Sequence, residues 1–361
     1  MIDEERLINS PYKISITTFL AMFVRNAGSF YSTKEANSFL GLASNNLELF
    51  IPFFKWFDQK GKIRKIALDN FYKLLKGFGM TDIRSVHAGY SGQGFLLSRF
   101  FMNPADPRVS KQTSERIYRE IELLGIIKRE LKIEHPVLYV LHAGRKEKGI
   151  SRAESVQSLV AVVRSVMEVA QKSGVCVTIE NVFSYPGEEA LGTILDEVAD
   201  VLKQIGTEWI DKGVLGWTFD PAHALIAYSG NYDAIERDIK SILPFCNLIH
   251  VNHPKTTQKR RGEFLSQWGT GDDNHTAPLK IPRRTRYWNL MKEVILNSKI
   301  SSLFTVTYEV NWAIPGLGFI FGGSKLSEVR LGLLALDRFC NHPQERFDVP
   351  AIERYIDAHI A

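Results

Sequence analysis

The sequence predicts a (β/α)8 barrel in a single domain over residues 1–361. Short runs of apolar, β-branched residues alternate along the chain with stretches of helical periodicity, the pattern of repeated βα units around a parallel sheet. Eight such units can be drawn. The 361 residues are enough for a barrel with long loops, since such barrels run to about 250 residues or more. A composition of 45% apolar and 24% charged residues excludes a disordered, collagenous or coiled-coil chain.

The strands expected are Lys13 to Phe19, Leu47 to Pro52, Ile83 to Ala88, Val137 to His142, Val175 to Asn181, Leu215 to Asp220, Leu248 to Asn252 and Phe304 to Val310. Most are continuous apolar runs, as expected for strands covered by helices. Between them the spacing predicts helices over Lys34 to Leu42, Ile66 to Phe78, Ser114 to Leu131, Arg152 to Ser173, Leu191 to Ile205, Tyr232 to Leu243, Tyr287 to Asn297 and Lys325 to Asn341. The clearest is Arg152 to Ser173, with Leu159, Val162, Val163, Val166, Val169 and Ala170 at helical spacing, Ser151 placed to cap its start and Gly174 after its end. Two connections are long, Asn252 to Arg286 after the seventh strand and Asn311 to Ser324 after the eighth. Both are expected on the face where barrels carry their chemistry.

Cys176, Cys246 and Cys340 are too few and too scattered for a disulfide framework or a C-x-x-C metal site, and read as packing residues. No apolar run is long enough to span a membrane, and the amino terminus lacks a signal-peptide pattern, so a cytoplasmic location and no membrane partner are expected. The net charge of +5 is mildly basic. Its distribution is uneven: Lys255, Lys259, Arg260, Arg261, Lys280, Arg283, Arg284 and Arg286 fall in the connection after the seventh strand, facing only Glu263, Asp272 and Asp273. Such a run suits an anionic substrate, and it is equally what a solvated loop shows.

Barrels place chemistry at the carboxyl ends of their strands, and here those ends are one-sided. Strand three ends in His87, strand four in His142, strand five in Glu180-Asn181, strand six in Asp220-Pro221-Ala222-His223, strand seven in His250-Val251-Asn252-His253 and strand eight in Glu309. The following loop adds Asp272-Asp273-Asn274-His275. A lone histidine or carboxylate at a strand end is commonly a hydrogen-bonded core residue or a helix cap. Six consecutive strands ending this way point instead to divalent cations, which neutralise clustered carboxylates and use neutral imidazole as a ligand.

The Ile-Glu-Asn of strand five and the Asp-x-x-His-Ala of strand six resemble the xylose isomerase-like TIM-barrel superfamily, over about strands three to eight. That superfamily holds sugar isomerases and epimerases and the endonuclease IV nucleases of abasic DNA. Resemblance to endonuclease IV implies up to three zinc ions on His87, His142, Glu180, Asp220, His223, His250, Asp273, His275 and Glu309. Lys255, Lys259, Arg260, Arg261 and His253 would then meet the substrate, with Glu180, Glu309 and His223 at the reaction centre. The chain departs from that family at His253, where an aspartate is usual, and at Thr276-Ala277-Pro278-Leu279-Lys280, where a Leu-Gly-Glu-Gly turn is usual, so its substrate loops are expected to differ. Resemblance to the sugar isomerases implies a single ion on Glu180, Asp220, His250 and Glu309, with His223 at the substrate.

Three readings follow. Hydrolysis of a phosphodiester at abasic sites in DNA fits the full ligand set and the basic loop. Isomerisation or epimerisation of a sugar or sugar phosphate fits the one-ion subset, with Glu180 and Glu309 moving protons. A multinuclear iron oxidase is the third. The donor types suit zinc, manganese and iron alike. Gly89, Gly92 and Gly94, with Gly316, Gly318, Gly322 and Gly323, could admit a phosphate or simply shape turns; Phe264, Trp268, Tyr287, Trp288 and Trp312 could stack on a ligand or pin their loops.

Overall fold

A computed structural model describes residues 13–17, 46–50, 57–58, 62–78, 82–88, 102–184, 187–254, 275–279, 281, 283–299, 305–310 and 326–360. Eight parallel barrel strands lie within them: β1 (Lys13–Thr17), β2 (Asn46–Phe50), β3 (Asp82–His87), β4 (Val137–His142), β5 (Val175–Glu180), β6 (Leu215–Phe219), β7 (Cys246–Val251) and β8 (Thr305–Tyr308). With the helices between them they make the (β/α)8 class that the alternation predicts. The helices are α1 (Lys65–Phe78), α2 (Ser110–Glu130), α3 (Arg152–Arg164), α4 (Met167–Ser173), α5 (Leu195–Ile205), α6 (Thr207–Asp211), α7 (Pro221–Ala227), α8 (Tyr232–Asp238), α9 (Arg284–Leu296), α10 (Leu326–Asn341) and α11 (Val349–His359). The helix expected over Lys34 to Leu42 lies outside the described residues. The chain divides into two compact units, residues 47–218, and residues 219–361 with 1–46.

In residues 47–218, β4 pairs with β5 from Val137↔Val175 through His142↔Glu180, so the two site residues stand side by side at the ends of neighbouring strands. The helix expected over Arg152 to Ser173 is two helices. The helical ladder is interrupted by a turn at Ser165 and Val166, with Val166 at φ −111° and ψ −2°. Beside it the Ser165 hydroxyl donates to the Val162 carbonyl at 2.6 Å, a local bond that competes with the helical ladder. The apolar stripe crosses the break, because Leu159, Val162, Val163, Val166, Val169 and Ala170 are all buried. At the start of α3 the Ser151 hydroxyl accepts from the Glu154 amide at 3.2 Å and the Glu154 carboxylate accepts from the Ser151 amide at 2.8 Å, a reciprocal cap. Gly174 closes α4 in the left-handed conformation at φ 65°.

The same unit buries an ion pair between α2 and the sheet. Arg116 Nε donates to Glu120 Oε1 at 3.0 Å, and the Tyr139 hydroxyl of β4 donates to Glu120 Oε2 at 2.5 Å. Burial pushes the Glu120 carboxyl up, against the opposing pull of the Arg116 guanidinium. Past His142 the chain turns at Gly144, whose φ is +87°; a Cβ there would stand 2.3 Å from Asn103 Oδ1. Asn103 Oδ1 accepts from the amides of Ala105 and Arg145 at 3.2 and 3.0 Å, which ties the turn after β4 to the segment before α2.

In the second unit β8 lies between β1 and β7, with Lys13↔Thr305 and Thr307↔His250 in register. Helix α7 starts inside what reads as the end of strand six: Asp220 caps it by accepting from the His223 amide at 2.8 Å, and Pro221 supplies a preset first turn. Helix α11 has no counterpart in the expected units; Asp348 caps it through the Ala351 amide at 3.1 Å.

Buried hydroxyls pair within each unit. The Thr218 hydroxyl donates to Thr178 Oγ1 at 2.7 Å and the Ser85 hydroxyl to Glu48 Oε2 at 2.6 Å. In the second unit the Ser15 and Thr307 hydroxyls meet at 2.7 Å. Ser85, Thr178, Thr218 and Thr307 each precede a strand-end residue by two positions, His87, Glu180, Asp220 and Glu309 respectively, and so share its face. The three cysteines are buried thiols outside any disulfide, as packing residues should be. No helix of the described residues is long and apolar enough to cross a membrane.

Candidate metal centre

In residues 47–218 three strand-end side chains converge. The Nε2 atoms of His87 and His142 both lie 3.2 Å from Glu180 Oε2, and the two imidazole rings meet edge to face at 5.0 Å. All three ligand atoms fall within 4.8 Å of one another. The second ring nitrogen of His87 tells what the site lacks in protein groups alone. His87 Nδ1 donates to the Ala88 carbonyl at 2.8 Å, so in the neutral ring Nε2 carries a lone pair and faces a carboxylate oxygen. Two acceptors that close need a proton or a cation between them. Two ligands of one zinc ion, at bonds of about 2.1 Å and a tetrahedral angle, stand roughly 3.4 Å apart. The donor set therefore fits a divalent ion.

The second unit gathers five more. Asp220 Oδ2 lies 3.8 Å from the Nδ1 atoms of His223 and His250 and 3.7 Å from His275 Nε2. Glu309 Oε2 lies 2.9 Å from His250 Nδ1 and 3.4 Å from His275 Nδ1. Asp220, His223 and His275 form one three-ligand group, and Asp220, His250 and Glu309 lie within ligand distance of one another. Burial pushes Glu309 up, but His250 and His275 outweigh it and hold the carboxyl well below the usual carboxylate range. His275 reaches the group because a short antiparallel ribbon pairs Pro254 with His275 and His253 with Thr276, at the base of the connection after β7.

The sequence matches the description "Xylose isomerase-like TIM barrel" across residues 47–292. The chain belongs to that family. Solved structures of similar fold include a D-tagatose 3-epimerase-like protein, 18% identical at a TM-score of 0.53, covering 95% of this chain and 98% of that one. Another is D-psicose 3-epimerase from Clostridium cellulolyticum H10, 16% identical at 0.51, covering 95% and 99%. A third is a xylose isomerase domain protein from Planctomyces limnophilus, 13% identical at 0.52, covering 97% and 99%. No curated protein matches the sequence.

Of the residues that the family resemblance singles out, His87, His142 and Glu180 meet in one unit, and Asp220, His223, His250, His275 and Glu309 in the other. Asp273, Lys255, Lys259, Arg260 and Arg261 lie outside the described residues, as do Gly89, Gly92, Gly94, Gly316, Gly318, Gly322, Gly323, Phe264, Trp268 and Trp312. His253 is buried with its ring edge-on to Tyr287 at 5.8 Å and its Nδ1 donating to the Pro254 carbonyl at 2.7 Å. Burial lowers its pKa to about 4, so it is neutral at physiological pH. Tyr287 and Trp288 are fully buried on α9, which makes them core residues of this family member. One residue that sequence reasoning passed over stands among the ligands: Asn252, whose Nδ2 lies 2.8 Å from Asp220 Oδ2.

Proposed function

We propose that the chain is a divalent-metal-dependent enzyme that epimerises or isomerises a sugar small molecule, with Asp220, His250 and Glu309 holding an ion. The observation that carries this reading is the approach of Asp220, His250 and Glu309 to within ligand distance of one another, on strand ends of a xylose isomerase-like barrel. The fold neighbours described as 3-epimerases of D-tagatose and D-psicose agree with it. The ion would polarise a carbonyl and a neighbouring hydroxyl of the sugar. Glu309 would move the proton of the carbon beside that carbonyl, and a carboxylate held in place by a histidine, as Glu309 is by His250, keeps its lone pairs aimed. His223 would contact a sugar hydroxyl, and the buried strand ends would keep bulk water from the carbon that exchanges its proton.

The experiment is turnover of a panel of ketoses and their phosphates by the metal-loaded protein in deuterated water, followed by NMR. Epimer or isomer formation with solvent deuterium at one carbon is expected. No turnover, together with cleavage of abasic DNA, would overturn the reading.

The groups His87–His142–Glu180 in one unit and Asp220–His223–His275 in the other favour a second reading, more than one ion per chain and phosphodiester hydrolysis of the endonuclease IV kind. Metal count separates the two. One ion per chain, retained when His87 and His142 are both replaced by Ala, supports the sugar enzyme; a higher count that falls in the double variant supports the hydrolase.

A further inference from the structure

We propose that Glu197 is a positioning residue that fixes the spacing of His142 and Glu180: by taking the buried Gly192 amide it holds residues 190–192 as a brace between the exits of β4 and β5. The inference goes beyond the sugar reading above, and it rests on an ion at His87–His142–Glu180 only for its zinc arm.

The parallel ladder of β4 and β5 ends at the pair His142↔Glu180. Beyond that pair a third segment joins the two exits. The Leu191 amide donates to the Gly144 carbonyl at 2.9 Å, and the Val182 amide donates to the Gly192 carbonyl at 3.1 Å. Gly144 and Val182 each stand two residues past a site residue, His142 and Glu180 respectively. A short antiparallel ribbon, Arg145↔Ala190 and Lys146↔Glu189, leads the segment in.

Packing leaves the brace no room to drift. Gly192 is buried, and a Cβ on it would stand 3.4 Å from Ala143 Cβ, 3.6 Å from the Glu180 carbonyl oxygen and, on the α5 side, 3.3 Å from Val198 Cγ2. The backbone of residue 192 therefore lies against both strand ends at once.

A buried amide left without an acceptor is costly, and the Gly192 carbonyl is already given to Val182. Glu197 Oε2 accepts from the Gly192 amide at 2.7 Å. From the third position of a helix a glutamate commonly reaches back to the amide of the cap residue; in α5 it reaches past the cap residue, Ile194, to Gly192. The carboxylate is aimed from its other side by Arg152, the first residue of α3. Arg152 Nε donates to Oε1 at 2.8 Å and Nη2 to Oε2 at 2.7 Å, a two-point contact that fixes orientation as well as charge. The same Nη2 reaches the Ala190 carbonyl at 3.5 Å. Glu197 thus acts on His142 and Glu180 through the backbone that spans them.

The test begins with amide hydrogen exchange of the metal-free protein, resolved at Leu191 and Val182. In Glu197→Ala both amides should exchange about 10-fold faster or more, while Val177 to Ile179 inside β5 keep their protection. Glu197→Gln retains an oxygen that can accept from Gly192 and should keep most of the wild-type protection. Arg152→Gln, which leaves that contact but loosens its aim, should show a smaller loss at the same two amides, and it serves in place of Glu197→Ala if that variant does not fold. Unchanged exchange at Leu191 and Val182, or an equal loss throughout β5, would overturn the proposal. The second arm measures Zn2+ affinity by competition with a chelating dye, with and without His142→Gln. Glu197→Ala should weaken the His142-dependent affinity about 10-fold, Glu197→Gln should recover most of it, and in the His142→Gln background Glu197→Ala should cost nothing further. A loss of the same size in both backgrounds would overturn the proposal. A wild type with no His142-dependent affinity would remove the ion from His87–His142–Glu180, and hydrogen exchange would still decide whether Glu197 sets the spacing.

Discussion

Glu309 Oε2 lies 2.9 Å from His250 Nδ1, a carboxylate and an imidazole joined at the ends of neighbouring parallel strands. The two histidines around Glu309 hold its carboxyl well below its ordinary value, against the upward push of burial. A depressed carboxyl contributes stability that is fully present above its unfolded pKa, about 4.3, and is lost as pH falls through the lower folded value. In the metal-free protein the melting temperature should therefore fall on acidification in that range, and Glu309→Gln should flatten the fall. A variant with the same acid profile as the wild type would show that the pair does not form.

Glu180 makes an opposite forecast for stability and function. It faces the Nε2 atoms of His87 and His142, so Glu180→Gln can present an amide donor where a carboxylate now meets a lone pair. The metal-free variant should melt at or above the wild-type temperature while its bound metal, counted by elemental analysis, drops. A variant that unfolds at lower temperature yet keeps its metal would place the acceptor conflict elsewhere.

The buried Arg116–Glu120–Tyr139 group gives a third expectation. Glu120→Leu leaves the Arg116 charge without its carboxylate in the space between α2 and β4, and breaking one side of a buried pair costs about 3–5 kcal/mol. Tyr139→Phe removes one hydrogen bond and should cost only about 1 kcal/mol. Urea unfolding of the two variants should preserve that order.

At the start of α3, Ser151→Ala removes one half of the reciprocal cap and should cost about 1 kcal/mol, with metal content unchanged. A loss of bound metal in this variant would mean that α3 supports the site more directly than its distance along the chain suggests.

The strands were legible because the fold makes them so: strands between a packed interior and covering helices are mostly apolar, and from β3 to β8 His, Asp and Glu gather at their ends. That contrast pointed to His87, His142, Glu180, Asp220, His250 and Glu309. Helix α7 was hidden because Asp220 serves both as a strand-end group and as a cap, and the two roles look alike in one dimension. The break at Val166 left the apolar spacing of α3 and α4 unbroken, so periodicity gave no sign of it. Asn252 was passed over for a chemical reason. It is neither charged nor titratable, and only the fold brings its amide nitrogen to Asp220 Oδ2, with its oxygen on the Ala222 amide.

The pairing of hydroxyl and ligand positions on β3, β5 and β8 has a consequence for how this chain can change length. Between Ser85 and His87, Thr178 and Glu180, and Thr307 and Glu309 stand Val86, Ile179 and Tyr308, buried on the opposite face. Deleting one residue within any of these strands would exchange the faces and bring a large apolar side chain to the mouth in place of an imidazole or a carboxylate. A deletion of two would keep the faces but set a hydroxyl where the ligand had been. The strands are thus a reading frame with a period of two, intolerant of single steps, and length variants that keep their metal should carry their insertions and deletions in the connections.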